Sequence, residues 1–237
     1  MASYKKYVLV GVAAVVGLSS VTAHFVHKRS SDRRKSAKIR RAFTNIYKTE
    51  YWKHGKDVGG AGTGSTADVT EVYRNFLEKF MKENKISSVV DFGCGDWEFS
   101  RLIDWKGIDY TGIDVVEHVI EKNSQEYQTD HIHFMTVEGI HEELPKADLI
   151  VCKDVLQHLT NEDIFLFLKK ASKFKHCLIT NDFYSPFTIV PINADLEKRG
   201  YCKELDLTQP PFNCSGEKIL TYEAEDGIIK QVFYLHH

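Results

Sequence analysis

A short apolar run that ends in an acid and then breaks into Gly-x-Gly constrains the fold of this chain most. The segment reads Val89-Val90-Asp91-Phe92-Gly93-Cys94-Gly95-Asp96. Such a run is typical of a buried strand in a parallel sheet, and its two glycines let the backbone turn sharply and leave room for a ligand. A second acid, Asp114, closes the next apolar run, and an acid about 20 residues beyond a glycine turn can accept hydrogen bonds from ribose hydroxyls. The pair predicts a site for a nucleoside-containing cofactor on an α/β sheet.

The residues after Gly95 argue against a dinucleotide. The dinucleotide fingerprint is Gly-x-Gly-x-x-Gly, but here Asp96-Trp97-Glu98 follows the second glycine. The third glycine is missing, and an acid at a helix start would repel a pyrophosphate. A nucleotide-dependent oxidoreductase on a similar sheet is the alternative that this departure disfavours. A cofactor with an amino acid moiety, which carries an ammonium group, fits the acids of this loop better.

Strand-like and helix-like segments alternate along most of the chain. We predict strands at 89–92, 110–113, 132–137, 148–152 and 177–181, and helices at 42–54, from Ser65 onward, near 98–104, at 115–123 and at 161–174. This alternation is typical of a parallel sheet with helices on both faces. Glu225-Asp226-Gly227, between the β-rich runs 218–222 and 228–234, predicts a terminal antiparallel hairpin.

The glycine turn and its neighbours resemble the class I S-adenosylmethionine-dependent methyltransferases over roughly residues 66–237. Asp91-Phe92-Gly93-Cys94-Gly95 resembles the glycine motif of that family, and Asp114 resembles its ribose-binding acid. Glu138 stands where the family often has an acid near the adenine amino group, and 148–159 is similar to the fourth strand and its following turn. Gly-Cys-Gly-Asp-Trp is similar to one uncharacterised branch of methyltransferase-like proteins.

The resemblance implies both a fold and a cofactor. The fold would be a Rossmann-like, seven-stranded, mostly parallel sheet with helices on both faces and a C-terminal antiparallel hairpin. The cofactor would be S-adenosylmethionine. Asp91 and the turn Gly93-Cys94-Gly95 would hold its methionine portion, Asp114 its ribose, and Glu138 the surroundings of its adenine. Lys153 is a candidate for binding a carboxylate of the cofactor or the substrate.

Candidate catalytic residues are Asp154 and His158. Methyl transfer mainly needs proximity and alignment, and sometimes a base that takes the proton of the acceptor. A histidine can accept a proton near neutral pH, and the two residues would share a helix face if the turn is helical. A packing role for His158 is the alternative. No Cys-x-x-Cys or His-x₃-His pair is present in the sequence, so we predict no metal site.

The N-terminal residues differ in composition from the rest. Tyr7 to Val26 is mostly apolar and long enough to span a bilayer, so residues 1–27 are predicted to be a transmembrane anchor; a cleaved signal peptide is the alternative. Residues 28–65 are predicted to hold a basic linker, a lid helix and a Gly-rich loop, and 66–237 the methyltransferase domain. The basic linker favours a catalytic domain that faces the cytoplasm.

Charge and composition limit the partners. Residues 1–41 hold ten Lys/Arg and one Asp, a balance of +9, which leaves 21 basic and 32 acidic residues, a balance of −11, in the remainder. An acidic domain disfavours nucleic acid, so the acceptor is predicted to be a small molecule, a lipid or a glycan. A catalytically inactive, membrane-tethered interaction module that binds the cofactor is a further alternative, because no indispensable catalytic residue is visible.

Overall fold

The structure is a computed structural model that describes residues 31–53 and 59–236. Its centre is a seven-stranded sheet with the strand order β3-β2-β1-β4-β5-β7-β6. The strands are β1 Ser88–Phe92, β2 Asp109–Asp114, β3 Ile132–Thr136, β4 Leu149–Lys153, β5 His176–Tyr184, β6 Gly216–Glu223 and β7 Ile229–Leu235. Strands β1 to β5 run parallel, and β7 pairs antiparallel with both β5 and β6. The predicted Rossmann-like sheet and its terminal hairpin are confirmed.

Helices cover both faces of this sheet. They are α1 (31–48), α2 Glu71–Glu83, α3 Glu117–Tyr127 and α4 Asn161–Ala171. Residues of α1 and α4 share one apolar core with Val90 and Ile150, whereas residues of α2 share the other with Val89 and Val151. Successive strand residues point to opposite faces, which is why the uninterrupted apolar runs of the sequence supply two cores at once.

Two predicted helices differ from the structure. The helix expected from Ser65 begins at Glu71, because the chain is extended at Thr66 (ψ 158°) after a short 3₁₀ turn. The helix expected near 98–104 is only a 3₁₀ turn, Ser100–Leu102. There the backbone carbonyl of Ser100 accepts a hydrogen bond from the indole Nε1 of Trp105 (2.7 Å), and its side chain bonds to β1. These contacts hold the segment in a turn against the sheet.

The segment predicted to be a solvated basic linker is helical where the structure describes it. Residues 31–41 belong to α1, and its side chains Ser36 and Ile39 are buried, each 4% exposed. Ser36 packs against Gly139 in the loop after β3, where a Cβ would lie 3.3 Å from its Oγ. Of the amphipathic helix predicted for 42–54, residues 42–48 form the second part of this longer helix, and residues 49–53 are not helical.

The predicted anchor, residues 1–27, lies outside the residues that the structure describes. Within 31–53 and 59–236, no helix is both long enough and apolar enough to cross a bilayer.

Candidate functional site

A cavity lies beyond the carboxyl ends of β1, β2 and β4, where ligands bind in open α/β sheets. It measures about 840 Å³ when the space open to solvent is counted. Its walls come from α1, from the glycine turn after β1, and from the loops after β2, β3 and β4. Of the sequence-predicted site residues, it brings together Gly93, Cys94, Gly95, Asp114, Lys153, Asp154 and His158.

The glycine turn folds back on the end of β2. The backbone N–H groups of Gly93 and Cys94 both donate to the carbonyl of Ile113, at 2.8 and 3.1 Å. Gly93 and Gly95 have left-handed backbones, with φ of 76° and 54°, a conformation that glycine adopts without steric cost. A Cβ at Gly93 would also overlap Val155. The turn is thus specified by backbone geometry and by close packing together.

Asp114 joins the end of β2 to this turn. Its Oδ2 accepts the N–H of Gly95 at 3.2 Å, and its Oδ1 accepts the N–H of Val116 at 2.9 Å. Burial raises the pKa of this carboxyl, and the backbone hydrogen bonds oppose that shift. Each carboxylate oxygen can accept a further hydrogen bond. The side chain is therefore fixed at the cavity wall with acceptor capacity to spare.

Asp91 has a different position from the one predicted for it. It is 3% exposed and is not among the residues that line the cavity. Its Oδ2 accepts hydrogen bonds from the hydroxyls of Tyr110 (2.7 Å) and Ser100 (3.0 Å). Burial raises its pKa to about 6. Through these contacts Asp91 supports the glycine turn from the interior of the protein.

Glu138 also lies away from the cavity. Its side chain is exposed, whereas its neighbour Val137 and nearby Ile140 are buried and line the wall. The polypeptide after β3 turns the apolar residues inward and the acid outward. The wall near the predicted adenine position is therefore apolar.

Lys153 and Asp154 belong to a buried ionic cluster. Lys153 pairs with Asp154 and donates to the carbonyl of Gly64 at 2.9 Å. Lys230, from β7, donates to Asp154 Oδ1 at 2.8 Å and to Asp182 Oδ1 at 2.6 Å. Although burial opposes it, the two lysines lower the pKa of Asp154 to about 2. A carboxylate held so firmly in its charged form is a poor acceptor of a proton at neutral pH.

A hydrogen bond to the backbone fixes the orientation of the His158 ring. Its Nδ1 lies 3.1 Å from the backbone carbonyl of Tyr201. Because a carbonyl oxygen only accepts, Nδ1 carries the hydrogen and Nε2 keeps a lone pair. Burial lowers the pKa of the ring. The ring also packs on Trp52, with centroids 4.7 Å apart. His158 lies on a 3₁₀ turn, Leu156–His158, and Asp154 has a φ of 57°, so the helix face predicted for the two does not form.

The helix α1 and the Gly-rich loop, residues 59–65, cover the cavity. Ile39, Phe43 and Tyr47 of α1 line it, and the hydroxyl of Tyr47 lies over Gly95, 2.8 Å from where a Cβ would be. Asp96 Oδ2 accepts the N–H of Ala61 at 3.3 Å, and Glu98 Oε2 accepts that of Gly59 at 3.2 Å. The acids that break the dinucleotide fingerprint thus hold the covering loop.

Some residues of the site were not predicted from the sequence. The aromatic spacing of Phe43 and Tyr47 indicated a possible lid, but Ile39 was assigned to the linker. No sequence pattern indicated that Lys230 belongs to the site. It is 76 residues from Asp154 in the chain and approaches it only because β7 pairs with β5.

A second hollow adjoins the cavity. The two share Trp52, Ala61, Ser65, Asp154 and His158 as lining residues. The second hollow continues past them to Asp182, Cys202 and Lys230. Trp52 and His158 therefore stand at the boundary between two compartments, one formed largely by the glycine turn and α1, the other by the ends of β4, β5 and β7.

Known proteins resemble this chain in sequence pattern and in fold. Residues 65–174 match a family model described as a methyltransferase domain. No curated protein matches the chain. The methyltransferase domain of bacterial CtHen1 superposes with a TM-score of 0.52 at 15% identity, over 71% of this chain and 100% of that one.

Two further solved structures show the same likeness. Magnesium protoporphyrin IX methyltransferase from Synechocystis PCC 6803, with bound SAH, gives a TM-score of 0.52 at 14% identity, over 81% of this chain and 94% of that one. The S-adenosylmethionine-dependent methyltransferase SibL gives 0.50 at 12% identity, over 71% of this chain but only 55% of its own. The chain therefore has the Rossmann-like fold of methyltransferases, with a methyltransferase-domain match across the part that holds the glycine turn, Asp114, Lys153 and Asp154.

Proposed function

We propose that this protein transfers a methyl group from S-adenosylmethionine to a small-molecule acceptor, with His158 as the general base. S-adenosylmethionine is the cofactor that the family match and the solved neighbours support. The observation that carries the proposal is the pair of adjoining compartments that meet at Trp52 and His158. A group-transfer enzyme that holds two reactants in line needs two such spaces.

The residues of the first compartment fit the cofactor. The left-handed backbone of Gly95 leaves the turn bare, and the carboxylate of Asp114 has acceptor capacity for ribose hydroxyls. Val137 and Ile140 supply an apolar surface for a base ring.

The second compartment would hold the acceptor. The bound cofactor supplies a methyl group on a positively charged sulfur. The Nε2 of His158, which keeps its lone pair, would take up the proton that the acceptor oxygen or nitrogen loses on methylation. The buried ionic cluster fixes the floor of this compartment and leaves Asp154 charged, which supports His158 over Asp154 as the base.

Binding of S-adenosylhomocysteine tests the first half of the proposal. Asp114→Asn keeps the side-chain shape but removes the charge, so we expect affinity to fall by about 1–3 kcal/mol, or 5- to 150-fold. Isothermal titration calorimetry on the full chain measures this. Glu138→Gln is the matched control, since Glu138 lies outside the cavity, and its affinity should stay within about twofold. Equal affinities for the wild type and Asp114→Asn would reject the ribose role.

The pH profile of turnover tests the second half. Burial lowers the pKa of His158, so the acid limb of the rate should lie below pH 6.5, the unperturbed value. In His158→Gln that limb should vanish and the rate fall by about 10²- to 10⁴-fold, while S-adenosylhomocysteine still binds. A variant that keeps both the rate and the acid limb would remove His158 from the mechanism.

A further inference from the structure

A positively charged groove, separate from the two compartments of the candidate site, lies on the outer side of α1. It is formed between this helix and residues 199–201, and it measures about 1100 Å³ when the space open to solvent is counted. Lys38 and Arg41 line it from the helix, and Arg199 lines it from the opposite wall. Asn45 and Tyr201 add hydrogen-bonding groups, whereas the hydroxyl of Thr49 donates to the carbonyl of Asn45 at 2.8 Å.

None of the described residues that line this groove is acidic. Lys38 and Arg41 are exposed, and within residues 31–53 and 59–236 neither has a carboxylate partner. Arg199 uses its Nε to bind the buried Asp163 at 2.7 Å, which fixes its guanidinium at the wall. Residues 31–48 hold seven Lys/Arg and one Asp, whereas residues 42–237 have a balance of −11. Positive charge is therefore concentrated on this helix, although the domain as a whole is acidic.

A basic helix face is often no more than a solvated surface. This groove differs because it is concave and because its cations come from two separate segments of the chain. A guanidinium fork, an ammonium group and neutral hydrogen-bond donors around one space are the groups that recognise phosphate. We propose that the groove binds a phosphate group, carried either by a soluble phosphate ester or by an anionic lipid.

Both walls of the groove also contact or contribute residues that line the cofactor cavity. The opposite face of α1 carries Phe43 and Tyr47 into that cavity. On the other wall, the N–H of Gly200 donates to the carbonyl of His158 at 2.9 Å, and the carbonyl of Tyr201 holds the His158 ring. A ligand that ties the two walls together therefore stabilises the covered form of the cavity, and by linkage the cofactor should tighten the binding of the anion equally.

Direct binding to the full chain without cofactor tests the site independently of methyl transfer. The probes are inorganic pyrophosphate, followed by calorimetry, and vesicles of phosphatidylglycerol compared with phosphatidylcholine, followed by flotation. The test variant is Lys38→Glu with Arg41→Glu. The matched control is Lys79→Glu with Lys82→Glu on α2, which changes the net charge equally at two exposed positions of a helix that packs with the other core. We expect the test variant to weaken binding by at least about tenfold and the control by less than twofold.

The outcomes separate the two sources of phosphate. Pyrophosphate binding with this pattern supports a soluble ligand, and the same pattern with phosphatidylglycerol vesicles alone supports a lipid headgroup. Equal loss in both variants, or no binding to either probe, overturns the proposal. If an anion binds but leaves the affinity for S-adenosylhomocysteine unchanged, the site stands and its coupling to the cavity is refuted.

Discussion

The buried carboxyl of Asp91 makes a quantitative prediction about stability. Its pKa is raised from 3.8 to about 6 by burial, against the hydrogen bonds of Tyr110 and Ser100. A carboxyl whose pKa is raised in the folded state binds its proton more tightly there than in the unfolded chain. Its contribution to stability is fully present below pH 3.8 and is lost as the pH rises towards 6. The difference between the two pKa values corresponds to about 3 kcal/mol in full, of which about 2 kcal/mol falls between pH 4.5 and 7.

Asp91→Asn isolates this contribution. The amide cannot ionise but can still accept hydrogen bonds from Tyr110 and Ser100. We expect the variant to gain about 2 kcal/mol relative to the wild type as the pH rises from 4.5 to 7. Urea denaturation at several pH values with unchanged m-values measures this difference. Asp130→Asn, at an exposed position, is the control for the loss of one charge. If the stability of Asp91→Asn and that of the wild type change with pH in parallel, the folded state does not raise the pKa of this carboxyl.

The same variant tests whether Asp91 only supports the glycine turn or contacts the cofactor directly. Because Asp91 does not line the cavity, Asp91→Asn should bind S-adenosylhomocysteine within about twofold of the wild type. A loss above about tenfold, in a variant that remains folded, would restore the direct contact that the sequence motif predicted.

Two further substitutions test the packing of the site. Lys230→Met leaves two buried carboxylates without their shared partner and should cost about 3–5 kcal/mol in urea denaturation; a loss below about 1 kcal/mol would mean that water replaces the lysine. Gly95→Ala adds a Cβ that meets the Tyr47 hydroxyl at 2.8 Å, whereas at Gly107, also left-handed, a Cβ meets nothing within 4 Å. Gly107→Ala should therefore cost only about 1–2 kcal/mol of backbone strain, and Gly95→Ala more, with part restored by Tyr47→Phe. Equal costs for the two alanines would show that Tyr47 does not rest on the turn.

The sheet was predictable because its signals are local. A short, mostly apolar run followed by Gly-x-Gly predicts β1 and its turn through burial and backbone freedom alone, and Asp226-Gly227 predicts the final hairpin in the same way. The predictions that failed depended on contacts across the fold. A basic composition suggested that 31–41 is a linker, yet Ser36 and Ile39 are buried against the loop after β3, and no local property of the sequence reports that neighbour.

The same distinction between local signals and long-range contacts applies to the candidate site. By itself, the sequence determined that glycine backbone and Asp114 meet at the mouth of a parallel sheet, because side chains that follow neighbouring strands must gather at one edge. Only the tertiary structure decided that Asp91 lies beneath the turn, that Glu138 faces solvent, and that Lys230 returns from β7 to hold Asp154 charged. Those outcomes depend on burial and on pairs of charges brought together from distant parts of the chain, and a pKa is a property of that assembled environment rather than of any local motif.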